Sequence, residues 1–121
     1  MKYIDFMDIS VVVPCYNEQD NIAEIYERLI NTFNKNKLDL DKIILIDDGS
    51  NDDTWKKISQ LQQLNKKEIL GIKFSRNFGH QNAVIAGLNY CKSDFVLIID
   101  ADLQDPPEIL GDMILEIKKN K

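Results

Sequence analysis

The chain has 121 residues, 44% of them hydrophobic, and a formal net charge of −5. That suits one soluble domain with a single core, and the acidic balance disfavours a nucleic-acid partner, because gripping a phosphate backbone needs clustered Lys and Arg. Asp5 and Asp8 interrupt the first apolar residues, unlike a signal peptide, and no run of about 18 apolar residues is available to cross a membrane.

The first predicted element is a strand over residues 9–13, where ISVVV is short, β-branched and followed by Pro14. After the loop CYNEQD, Ile22, Ile25, Tyr26, Leu29, Ile30 and Phe33 recur at helical spacing, with Asp20 or Asn17 as the expected cap. A second buried strand, KIILI at 42–46, runs into DDGSNDD, which is turn chemistry, and then into a helix marked by Trp55, Ile58 and Leu61.

A third strand is expected over 69–74, followed by the loop SRNFGHQ and a small-residue helix around Ala83, Ala86 and Gly87 suited to close packing on a sheet. A fourth strand, FVLII at 95–99, ends in DADLQD. Asp105, Pro106 and Glu108 then read as the cap, first-turn proline and third-position acid of a last helix, whose expected buried stripe is Ile109, Met113, Ile114 and Ile117. Lys118 and Lys119 read as its solvated tail. Four strands alternating with four helices predict an α/β, Rossmann-like parallel sheet with helices on both faces and one domain over 1–121. A strand edge left open beside the fourth strand would suit a homodimer or a covering partner.

In such sheets ligands bind beyond the carboxyl ends of the strands. The polar residues gather there: Tyr16, Asn17 and Glu18 after the first strand, Asp47 and Asp48 after the second, Asp100, Asp102, Gln104 and Asp105 after the fourth. Carboxylates crowded on one rim repel unless a cation or hydrogen-bond donors compensate them. Oxygen ligands without a Cys or His cluster suit Mg²⁺ or Mn²⁺, which often take one or two carboxylates and fill the other positions with substrate phosphates and water. Neither Gly-rich phosphate-loop motif is present, so a metal would have to carry the phosphate charge. Cys15 and Cys91 have no metal spacing and read as reduced thiols of a cytoplasmic protein.

VVPCYNE, IDDGSNDDT, SRNFGHQNAVIAG and DADLQDPPE, in this order, together resemble the family 2 glycosyltransferases of the GT-A fold, and most closely the polyprenyl-phosphate glycosyltransferases that include dolichol-phosphate mannose synthase-like enzymes. Any one block is modest evidence, but the four span nearly the whole chain. The resemblance implies the nucleotide-sugar-binding half of a GT-A domain. The remaining half would supply the acceptor site, and the full-length form would act at the inner face of the membrane. It implies a UDP- or GDP-sugar donor, Mg²⁺ or Mn²⁺, and a lipid-phosphate acceptor.

It further implies that Pro14, Tyr16, Glu18, Ile46 and Asp48 line the nucleotide pocket, with Tyr16 near the base and Asp48 accepting a hydrogen bond from it. Asp100, Ala101 and Asp102 would form the D-x-D element, Asp102 and Gln104 touching the metal and Asp100 lying against the ribose or sugar. Alternation places 100, 102 and 104 on one side if the segment stays extended. The catalytic base is not identified.

Several polar residues have plain structural readings. Asp47, Asn51 and Asp52 serve either turn and cap formation or ligand contact, and Arg76 and Asn77 either meet phosphate or fasten their loop to the fourth strand. The lone His80 is read as a loop residue outside the catalytic set. Two other functions fit the same features less well: a catalytically inactive binding or interaction module, and a receiver-like phosphoacceptor domain. The latter wants its acidic pair after the first strand and a Lys after a fifth, and the chain offers neither.

Overall fold

The computed structural model describes residues 8–119; the leading segment with Asp5, and the Lys118 side chain, lie outside what is described. In chain order the elements are β1 (Asp8–Cys15), α1 (Ile22–Lys35), β2 (Asp39–Asp47), α2 (Thr54–Leu64), β3 (Ile69–Lys73), α3 (His80–Leu88), β4 (Phe95–Ile98) and α4 (Ile109–Lys119). The strands form one parallel sheet ordered β3-β2-β1-β4. Strand order runs outward from β1 to β3 and then returns to the other side of β1, so a switch point lies between β1 and β4.

Side-chain alternation along β1 and β2 divides the core in two. Ile9, Val11, Val13, Ile43 and Leu45 face α1, α2 and α4 through Ile22, Ile25, Leu29, Phe33, Ile58, Leu110 and Ile114. Val12, Ile44 and Ile46 face α3 through Ala83. Helices therefore cover both faces, three on one and one on the other. Each fully buried Ile or Val contributes roughly 1.5–3 kcal/mol of transfer free energy. On the α3 side, a Cβ added at Gly87 would lie 2.6 Å from Val12 Cγ1, which explains the small-residue helix.

The strand and helix positions match the periodicity, and several boundary details differ. β1 continues two residues past its expected end, with Pro14 pairing beside Ile46 and Cys15 beside Asp47. This is tolerated because β4 pairs with β1 only as far as Val12, so beyond that point β1 has a neighbour on one side and the missing proline N–H costs no ladder bond there. The residue capping α1 is Asn21, without a side-chain bond, rather than Asp20 or Asn17. Asn17 instead adopts φ 54° and binds the next loop, its N–H donating to Ser50 Oγ and its Oδ1 accepting from Asn51 N.

α4 starts at Ile109, later than a cap at Asp105 requires, and Glu108 is engaged by Arg28 of α1 instead of the helix backbone. The buried hydrophobic residues of α4 are Leu110 and Ile114, while Ile109 and Met113 are 45% and 47% exposed. Of the expected stripe, Ile114 is buried and Ile117 packs against the core, whereas Leu110 takes the inward place and Ile109 and Met113 lie beside β4 in an apolar cleft. Cys15 and Cys91 are both free thiols, and burial pushes Cys15 well up from the usual range, with Glu18, Asp47 and Asp100 adding to the shift.

Candidate functional site

At the carboxyl ends of β1, β2 and β4 lies an open cavity of about 190 Å³, lined by Pro14, Cys15, Tyr16, Glu18, Asp48, His80, Asp100 and Asp102. Its volume is below the roughly 300–1,000 Å³ of complete small-molecule pockets, so it fits part of a nucleotide-sized ligand. Tyr16 is 44% exposed and presents an aromatic surface to the cavity.

Two loops shape this rim by hydrogen bonding to one another. Asp47 Oδ1 accepts Ser50 N at 3.0 Å, closing the turn after β2. Asp52 accepts Thr54 N at 2.9 Å and Gln19 N at 3.4 Å, and Glu18 N donates to Thr54 Oγ1 at 2.8 Å. Burial raises the Asp52 carboxyl, but the Thr54 hydroxyl and the surrounding N–H donors outweigh it and hold the group low. Asp47 and Asp52 therefore build the loops, and Asn51 joins them through Asn17.

Asp48 is buried, 4% exposed. Its Oδ1 accepts the backbone N–H of Phe78 at 2.8 Å, and Asn77 Nδ2 donates to its Oδ2 at 3.3 Å. Arg76 lays its guanidinium over the Phe78 ring, 4.2 Å from the centroid. Asn77 thus fastens its loop to the end of β2, not to the fourth strand as one reading of the sequence had it.

The segment after β4 does not stay extended. It turns through 101–105, with Leu103 at φ 64°, so strict alternation does not carry 100, 102 and 104 to one side. Asp100 and Asp102 line the cavity; Gln104 is exposed, outside the lining, and its N–H donates to Asp102 Oδ1 at 3.1 Å. Ile46 and Ala101 are 0% and 1% exposed, belong to the core clusters on opposite faces of the sheet, and are not part of the cavity lining. Pro14, Tyr16, Glu18, Asp48, Asp100 and Asp102 are the expected residues that the fold gathers.

The lone histidine, His80, read from the sequence as a loop residue, opens α3 and lines the cavity. Its Nε2 lies 2.7 Å from Asp100 Oδ1. The available signal was its position: it directly follows Gly79 and opens α3, whose amino terminus meets the same rim.

The site is acidic in its electrostatics. Burial raises the Glu18 carboxyl, the Asn21 amide partly offsets this, and Asp102, Asp52 and Asp100 raise it further. Among the described residues no three His, Cys, Asp or Glu side chains form a group able to hold a metal ion alone. The donor set of Asp102 with its carboxylate neighbours fits Mg²⁺ or Mn²⁺ in the manner that needs substrate phosphates to complete the shell.

The profile of glycosyl transferase family 2 matches residues 10–121, and the chain belongs to that family. It is 39% identical over 108 residues to an uncharacterised glycosyltransferase of Synechocystis sp., covering 89% of this chain and 33% of that protein. It is 36% identical over 100 residues to the undecaprenyl-phosphate 4-deoxy-4-formamido-L-arabinose transferase of Proteus mirabilis, covering 83% and 30% respectively. The fold matches S. aureus TarS 1-349 in complex with UDP-GlcNAc, with TM-score 0.66, 27% identity, and coverage of 93% and 32%. It also matches a mannosyltransferase from Pyrobaculum calidifontis in complex with GDP-Man and Mn²⁺, with TM-score 0.70, 23% identity, and coverage of 88% and 31%. The chain spans about a third of the length of these proteins. Family membership sets aside the receiver-like alternative.

Proposed function

We propose that the rim cavity binds the nucleoside diphosphate part of a sugar donor with Mg²⁺ or Mn²⁺, and that the chain is the donor-binding part of a glycosyltransferase. The carrying observation is the convergence of Tyr16, Glu18, Asp48, Asp100 and Asp102 at the carboxyl ends of three strands beside the switch point. Tyr16 offers a face for the base, with Pro14 beside it. Asp48, already holding Phe78 and Asn77, has a fixed orientation and accepts from the base with its remaining lone pairs.

Asp100 meets ribose or sugar hydroxyls, and Asp102 would hold the cation. Bound there, the cation supplies charge to the departing diphosphate. The protein's own contribution is to hold the donor in a fixed pose, so that an acceptor attacks the anomeric carbon as the nucleoside diphosphate leaves. The names of relatives such as the P. mirabilis transferase support a polyprenyl-phosphate acceptor, whose phosphate is already anionic and needs no strong base. No helix among the described residues is long and apolar enough to cross a membrane. Along the β4 edge, which no strand among the described residues pairs, Ile98, Ile109 and Met113 form an apolar margin through which two copies associate.

The metal part of this proposal is tested by titrating Mn²⁺ and following its electron paramagnetic resonance. The chain alone should leave most Mn²⁺ free, and adding UDP or GDP should immobilise it. No change with either nucleotide would count against the site.

A further inference from the structure

His80 and Asp100 join two elements that are otherwise separate at the rim. An ionised carboxylate only accepts, so the His80 Nε2 donates to Asp100 Oδ1 across their 2.7 Å contact. The two side chains are 60% and 49% exposed, and an isolated surface pair of this kind adds little to stability.

The rigidity behind His80 separates this pair from an ordinary surface contact. The preceding loop is tied to Asp48 by Phe78 and Asn77. It also approaches Gly49 so closely that a Cβ there would lie 2.2 Å from the Arg76 carbonyl carbon. Phe78 sits edge-on to Phe74, centroids 5.5 Å apart. On the other side, α3 seats Ala83 in the core and Gly87 against Val12. With its backbone fixed from both directions, His80 has little freedom left to lose when its ring is aimed.

Asp100, by contrast, stands just past the end of β4, where the chain enters a turn, and it faces the charges of Glu18 and Asp102. We propose that His80 is a positioning residue that holds Asp100 Oδ1 and so turns Oδ2 toward the hydroxyl groups of the donor's ribose or sugar. His80 also links the base end of the cavity at Asp48 to its acidic end at Asp100 and Asp102. This inference rests on reading the cavity as a nucleoside-diphosphate-sugar site.

The test is calorimetric titration of the whole 121-residue chain with UDP-GlcNAc and with GDP-mannose in Mn²⁺. His80→Ala should weaken whichever probe the wild type binds by about tenfold, the scale of one charge-assisted hydrogen bond. His80→Gln, whose amide nitrogen reaches the place of Nε2, should restore affinity to within about threefold. Because His80 acts through Asp100, the double variant His80→Ala with Asp100→Ala should bind no more weakly than Asp100→Ala alone. An unchanged His80→Ala, or losses that add in the double variant, would overturn the positioning role while leaving the donor site intact. A wild type that binds neither probe would overturn the donor site itself and this role with it. A ligand-free readout is available because His80 is the only histidine: Asp100→Asn should shift its ring ¹⁵N resonances, and unmoved resonances would overturn the contact.

Discussion

The carboxylate of Asp48 accepts the backbone N–H of Phe78 at 2.8 Å, so the acid that directly follows β2 is also the anchor of the loop leading into α3. Asp48→Ala would leave that N–H without a partner and should destabilise the fold by about 1–3 kcal/mol. Asp48→Asn, which keeps one acceptor oxygen, should recover most of the loss. Urea denaturation of both variants reads this directly, and equal stability of Asp48→Ala and wild type would show the anchor to be idle.

Gly49 is fixed by the same close approach. Its φ is 72°, and a Cβ would meet Arg76 C at 2.2 Å and Asn77 N at 2.3 Å. Left-handed strain and backbone overlap act together, so Gly49→Ala should cost about 3 kcal/mol or more. By contrast, Gly79 has φ 100° with nothing near its Cβ position, so Gly79→Ala should carry backbone strain alone and melt between Gly49→Ala and wild type.

Arg28 donates to Glu108 at 2.6 and 3.0 Å and to Glu24 at 3.1 Å, tying α1 to the start of α4. The Arg28 hydrogen bonds hold the Glu108 carboxyl below the usual glutamate range, against a smaller opposing effect of burial. A carboxyl lowered in the folded state contributes stability above its unfolded value of about 4.3, and that contribution disappears as pH falls through the folded value. Glu108→Gln should therefore melt slightly below wild type at pH 7, and the difference should close in strong acid. A difference independent of pH would exclude the pair as its source.

The β4 edge gives a prediction for association. Ile98 is 48% exposed on a strand that, among the described residues, is paired on one side only. Unpaired edges template further pairing, so light scattering should show a dimer that Ile98→Lys disperses. A monomer at high concentration would refute association through this edge.

The sheet, its helices and most of the rim were legible in the sequence because apolar runs such as ISVVV and KIILI, and the 3–4 spacing of Ile22, Ile25 and Leu29, report burial directly. Contacts distant along the chain were not legible. Nothing local reveals that Glu108 would turn to Arg28 instead of capping its own helix, or that Asn17 would leave α1 to bind Ser50 and Asn51. The turn at Leu103 likewise defeated the alternation expected for Asp100, Asp102 and Gln104. His80 was read as a loop residue because its partner Asp100 lies 20 residues away, and only the fold brings the start of α3 near the end of β4.

The most direct measurement of the central claim is thermal stability of the chain with UDP, GDP and their sugar conjugates, each with Mn²⁺ and with chelator, beside Asp102→Ala. A ligand present at a hundred times its dissociation constant should add about 2.7 kcal/mol. The expected result is a rise with one nucleotide that requires Mn²⁺ and vanishes in Asp102→Ala. A folded chain whose stability no nucleotide changes, or a rise that survives both chelator and Asp102→Ala, would contradict a metal-assisted donor site at this rim.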